Sequence, residues 1–177
     1  HRPDDVFIEL QNKHPRPVHL TGWLLTIEAG HHADGLKHAS SRAMRSNQTY
    51  VIPARENGND LDTNEMVVIA ARRDGAFRDA DYFIDNLRIP NGPFEVVLQD
   101  LDERLIDHIG DHRKQPFAGA WDGVVARSME RIQLIFNNRG NRDSAWHTYS
   151  LNDFDDGDRA SYHQNLRARV HPDYAAK

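Results

Sequence analysis

The apolar residues of this chain come in short bursts, and most of the bursts alternate. Val6-Phe7-Ile8-Glu9-Leu10, Trp23-Leu24-Leu25-Thr26-Ile27, Phe94-Glu95-Val96-Val97-Leu98 and Leu105-Ile106-Asp107-His108-Ile109 are the clearest. Val18-His19-Leu20, Tyr50-Val51-Ile52, Met66-Val67-Val68-Ile69, Phe83 to Ile89 and Ile132-Gln133-Leu134-Ile135-Phe136 complete the series. A half-buried strand shows one apolar side chain in every two, whereas an amphipathic helix needs a longer stretch with a 3.6-residue period. The bursts are rich in β-branched and aromatic residues and are bounded by Gly, Pro, Asn and Asp. Leu101-Asp102-Glu103 lies between two of them and reads as a hairpin connection.

Many short strands separated by turn signals predict an all-β sandwich or barrel. Two polar stretches interrupt the pattern. Ala29–Gln48 carries His31, His32 and His38 among basic residues, and Arg55–Asn64 is rich in Asn, Asp and Gly. Both are expected to be surface loops. Arg73–Tyr82 has room for one short helical turn. The texture changes after Trp146, with an acidic stretch from Leu151 to Asp158 and a weakly amphipathic one from Ser161 to Val170. The expected organisation is one domain over residues 1–148, followed by a C-terminal extension over 149–177 packed back on it.

Composition narrows the partners. The 177 residues carry a formal net charge of −5, which argues against nucleic acid, because phosphate binding calls for a clustered basic excess. The absence of cysteine removes disulfides, thiolate metal sites and cysteine nucleophiles together. No apolar run approaches the roughly 20 residues that span a bilayer as a helix, and no signal-peptide pattern is present. The first residue is His1 rather than Met, so the chain is expected to be a piece of a longer protein.

Several boxes carry a family resemblance. Phe7-Ile8-Glu9-Leu10-Gln11-Asn12 is followed by Pro17-Val18-His19-Leu20-Thr21-Gly22-Trp23-Leu24-Leu25. Tyr50-Val51-Ile52-Pro53, Met66-Val67-Val68-Ile69-Ala70, Leu98-Gln99-Asp100 and Leu105-Ile106-Asp107 come next, then Arg127-Ser128-Met129-Glu130-Arg131 and Ser144-Ala145-Trp146. Taken in order over about residues 5–148, this resembles the lamin tail domain family. The resemblance implies an immunoglobulin-like β-sandwich, with Glu9, Asn12, Leu20, Gly22, Trp23, Ser128, Glu130, Arg131 and Trp146 as residues of the fold signature. The chain departs from the family pattern in three places. Glu103 or Arg104 stands where the hairpin glycine is expected, the loops at 29–48 and 55–64 are long, and the terminal Pro-Gly-x-x-Asn segment is missing. Local chemistry agrees with structural roles. Gly22 permits a left-handed turn before Trp23, Trp23 can bury most of its ring, Glu9 and Asn12 can satisfy turn backbone groups, and Glu130 lies between Arg127 and Arg131 for an ion pair.

Three constellations could hold a cation. Asp153, Asp155, Asp156 and Asp158, with Gly157, give the oxygen-rich set a calcium ion takes, although the spacing is not that of an EF-hand. His31, His32 and His38 with Asp34 offer imidazole and carboxylate to zinc. Asp107-His108 and Asp111-His112 form a second histidine pair. Gly110 lies between them and the flanks read as strand, so the pair is not expected to converge. No Gly-x-Ser-x-Gly box or phosphate-cradling glycine loop occurs, and no catalytic residue is assigned.

The resemblance implies a non-enzymatic interaction module with a protein partner and no obligatory cofactor, and this is the expected function. The alternatives are a calcium-stabilised extracellular adhesion or carbohydrate-binding module and, below it, an accessory domain of a metal-dependent hydrolase. The compartment stays open, with extracellular or cell-envelope placement favoured.

Overall fold

A computed structural model describes residues 6–30, 47–58, 60–75, 77–90, 92–121, 126–132 and 140–149. Eleven strands run through them: β1 (Phe7–Gln11), β2 (Leu24–Ala29), β3 (Gln48–Val51), β4 (Met66–Ala70), β5 (Tyr82–Phe83), β6 (Phe94–Gln99), β7 (Leu105–Gly110), β8 (Ala120–Trp121), β9 (Ala126–Arg127), β10 (Met129–Arg131) and β11 (Trp146–Thr148). A single turn of 3₁₀ helix at Asp143–Ala145 is the only helical element among the described residues. The fold is all-β, the class the alternating pattern predicts. The helical turn expected within Arg73–Tyr82 is not found among the described residues there, which run through turns into β5.

Backbone contacts divide the chain into two compact units. One holds the residues up to Gly22 together with Ile52–Arg88, the other Trp23–Val51 with Ile89–Tyr149. The first unit is built on a three-stranded sheet in the order β1-β4-β5, with β4 antiparallel to β1 and parallel to β5. As the middle strand, β4 covers both faces, so Val67, Val68, Ile69 and Ala70 are all buried. Val68, Ala70, Phe77 and Ala80 form a core cluster joined by Phe7 and Phe83, and the rings of Phe7 and Phe77 lie 4.5 Å apart. Val18-His19-Leu20 forms no strand. It makes one antiparallel bridge, Val18 to Leu61.

The second unit contains a four-stranded antiparallel sheet in the order β3-β2-β6-β7. Its strands obey the period of two: Leu25, Ile27, Phe94, Val96 and Leu98 are buried, while Thr26, Glu28, Glu95 and Val97 are half-buried on the opposite face. Residues 100–104 close the β6–β7 hairpin as expected. The Asp100 carboxylate accepts hydrogen bonds from the backbone N–H groups of Asp102 and Arg104 and from Arg104 Nε. Glu103 has a φ of 60°, the left-handed conformation that glycine adopts most readily. Two small two-stranded sheets, β8-β9 and β10-β11, complete the unit.

Candidate functional site

The half-buried face of the four-stranded sheet collects charged groups of one kind. Glu28 of β2 lies directly opposite Glu95 of β6, and Glu95 lies directly opposite Gly110 of β7. Cross-strand partners point to the same face, so the row reads Glu, Glu, Gly. On an extended strand, residues two apart also share a face. His108 and His112 flank Gly110 at that spacing and come to the same side as Glu95.

The imidazoles close on Glu95 from both sides. His108 Nε2 lies 2.5 Å from Glu95 Oε1, and His112 Nδ1 lies 2.6 Å from Glu95 Oε2 and 3.8 Å from Glu28 Oε2. Ligand-type atoms of Glu28, Glu95 and His112 all fall within 4.8 Å of one another. His108 Nε2 is sealed from solvent, yet it sits off the direction a hydrogen bond to Oε1 needs and has no hydrogen-bond partner among the described residues.

Two glycines make this approach possible. Gly110 has a φ of 81°, and a Cβ there would come within 2.6 Å of the Phe94 carbonyl oxygen. It bends the end of β7 so that His112 turns back over the sheet. A Cβ on Gly30 would come within 1.7 Å of the His112 carbonyl oxygen, and Gly30 N–H donates to the Pro93 carbonyl at 2.8 Å. The end of β2 and the loop carrying His112 thus touch through bare backbone. The two histidines thus reach opposite oxygens of one carboxylate, and only His112 joins Glu28 and Glu95 in a common group.

The residues of the resemblance occupy structural positions. Asn12 is buried; its side-chain amide donates to the carbonyls of Arg16 and Leu61, and its oxygen accepts from His14 N–H. Glu9 stands within β1, opposite Val68, rather than at a turn. Leu20 is buried, and Gly22 has a φ of 83° with its N–H donating to the Ile52 carbonyl. Trp23 is half-buried, less than its apolar setting suggests. Glu130 is buried on β10, 3.3 Å from the Ser128 hydroxyl that donates to it and 3.6 Å from His147 Nε2. Arg131 reaches Asp107 at 2.5 Å and lies 5.9 Å from the centre of the Trp146 ring, whose indole N–H donates to the Gly140 carbonyl. The histidine loop with His31, His32, His38 and Asp34, and the calcium candidates Asp153, Asp155, Asp156 and Asp158, lie outside the described residues, as does the extension from residue 150 onward.

An open cleft of ≈ 470 Å³ in the first unit is lined by Pro17, Arg55, Asn57, Asp60, Asp62 and Glu65. Its strongest charges are already engaged. Arg55 bridges Glu65 at 2.8 Å and Asp81 at 2.9 Å. Burial alone would lower the Arg55 pKa, but the hydrogen bonds and charges of Glu65 and Asp81 hold it above its ordinary value. His19 pairs with Asp60 at 2.8 Å.

Comparison with family models finds no match, and comparison with curated protein sequences finds none either. The likeness to lamin tail domains therefore stands on the motif residues alone.

Proposed function

We propose that this chain is a non-enzymatic interaction module, an immunoglobulin-like sandwich of the lamin-tail type that docks on a protein partner. The reading is supported by the ordered boxes from Phe7 to Trp146, the all-β architecture, and above all the β6–β7 hairpin. That hairpin is held by the Asp100 hydrogen bonds, with Gln99 Nε2 also donating to the Glu103 carbonyl. Around this fixed frame Leu101, Leu105 and Ile106 are 66%, 63% and 48% exposed. Scattered exposed leucines are ordinary, whereas three large apolar side chains exposed on one preorganised hairpin suit a partner that grips it. The partner is a protein with a complementary apolar surface, the hairpin supplying its central anchor.

The test is site-specific photo-crosslinking from position 106 in the protein's own cells. The expected result is one discrete protein adduct that, once identified and purified, binds the chain at fixed stoichiometry. Leu101→Asp and Leu105→Asp should each remove the adduct while leaving the thermal midpoint within about 2 °C, as surface substitutions do. No adduct, or one indifferent to both substitutions, overturns the reading.

A further inference from the structure

The geometry points to a transition-metal site, with zinc as its natural ion, formed by Glu28, Glu95 and His112 on the half-buried face of the four-stranded sheet. This inference does not rest on the docking role of the hairpin.

Three observations carry it. First, Glu28 and Glu95 stand directly opposite each other on neighbouring strands, an arrangement of like charges that destabilises a sheet unless a cation offsets it. No Lys or Arg pairs with either carboxylate among the described residues. Second, His108 Nε2 is closed off from water and pressed to 2.5 Å from a carboxylate oxygen without hydrogen-bond alignment. On the other side of Glu95, His112 Nδ1 and Glu95 Oε2 form a hydrogen bond at 2.6 Å, and its proton is the one a bound cation would replace. Third, ligand-type atoms of Glu28, Glu95 and His112 all lie within 4.8 Å of one another, close enough for one ion to gather them.

The donor set selects the ion. An imidazole nitrogen with two carboxylates suits zinc or its borderline neighbours, whereas calcium and magnesium take oxygen alone. Three protein donors leave a fourth position of a tetrahedral ion for water. It would tie β2, β6 and the segment after β7 together on the face where Gly110 and Gly30 let the backbones close up. His112, 40% exposed, gives the ion its way in.

The test uses the full chain, freed of metal by a chelator that is then removed. Titration calorimetry with zinc chloride should show one equivalent bound. Cobalt chloride should give the intense visible absorption of a four-coordinate ion. At about a hundred times the dissociation constant, zinc should raise the thermal midpoint by roughly 5–11 °C, and calcium or magnesium should leave it unchanged. Glu95→Gln and His112→Ala should each abolish the calorimetric signal and the cobalt spectrum. His112→Ala lies at an exposed edge and keeps the test valid should Glu95→Gln fold poorly. The combined His31→Ala, His32→Ala and His38→Ala variant should bind as the parent does. Absence of zinc uptake, uptake that survives both Glu95→Gln and His112→Ala, or a six-coordinate cobalt spectrum overturns the inference.

Discussion

Two clusters of acidic residues, one in each unit, are finished in different ways. In the first unit, Asp81 and Glu65 share the guanidinium of Arg55, and their remaining oxygens accept backbone N–H groups from Val68 and Asp62 at 2.8 and 2.7 Å. Only Arg55 Nε is left without a partner among the described residues. In the second unit, Glu28 and Glu95 face each other with imidazoles alone between them. The first arrangement supplies a full positive charge and directed donors, so its carboxylates serve as structural pins. The second supplies one imidazole hydrogen bond, from His112 Nδ1 to Glu95, and no guanidinium or ammonium group among the described residues. Placed side by side, they separate an acidic group that completes the fold from one that holds a place for something else.

The sharpest way to break this comparison is to remove a pin. Arg55 and Asp81 have side chains 10% and 16% exposed. Asp81→Ala would leave the guanidinium short of a partner and orphan the Val68 N–H. The expected loss is about 3–5 kcal/mol, the range for stranding one member of a buried pair, read from the midpoint of a urea transition at unchanged slope. A loss under about 1 kcal/mol would make the Arg55 cluster no more than a surface bridge.

Asp100 sharpens the contrast at a second carboxylate that is fully supplied with donors. Burial would raise its pKa, but the Arg104 backbone N–H, the Arg104 guanidinium and the Asp102 N–H outweigh that and hold it below the usual carboxylate range. A depressed folded-state pKa contributes stability above the unfolded value and loses it as the pH falls through the folded one. Asp100→Asn should therefore destabilise the protein above about pH 5, with the difference from the parent closing below about pH 3. Urea midpoints measured across that range check it. A difference that does not change with pH would assign the hairpin's stability to shape rather than charge.

How much of this was legible depended on whether a feature is local. The alternation in Phe94–Leu98 and the β-branched run at Met66–Ile69 predict β6 and β4, because a strand's period is written in consecutive residues. Gly22 reads as a left-handed turn for the same reason. Short pairings such as Ala120–Trp121 with Ala126–Arg127 have no comparable signal, and the apolar run Phe83–Ile89 enters the sheet only through its first residue, in the pairing of Tyr82–Phe83 with β4. The Glu28–Glu95–His108–His112 cluster was illegible for a different cause. Its members come from three strands, and their approach depends on which residue stands opposite which. The register Glu28–Glu95–Gly110 is a tertiary fact, and the two histidines gain meaning only once Glu95 is known to lie between them. Arg131 illustrates the same limit: sequence places it beside Glu130, whereas the fold also brings it to Asp107, 24 positions away.

The smallest effect has the most informative sign. Glu28 is half-buried and faces Glu95 across the strand pair, so without metal it contributes repulsion rather than a pin. Glu28→Gln keeps the shape and removes that charge. In metal-free buffer it should stabilise the chain by about 0.2–1 kcal/mol, the scale of a cross-strand charge pair. With zinc present the order should reverse, because the substitution removes an anionic ligand and with it part of the ligand-linked stabilisation. Thermal midpoints of the two proteins, each taken with and without zinc, give the four values needed. A reversal of sign is something a purely structural carboxylate such as Asp81 cannot produce. If Glu28→Gln were destabilising in both conditions, Glu28 would be a pin like Asp81, and the distinction between the two clusters would fail.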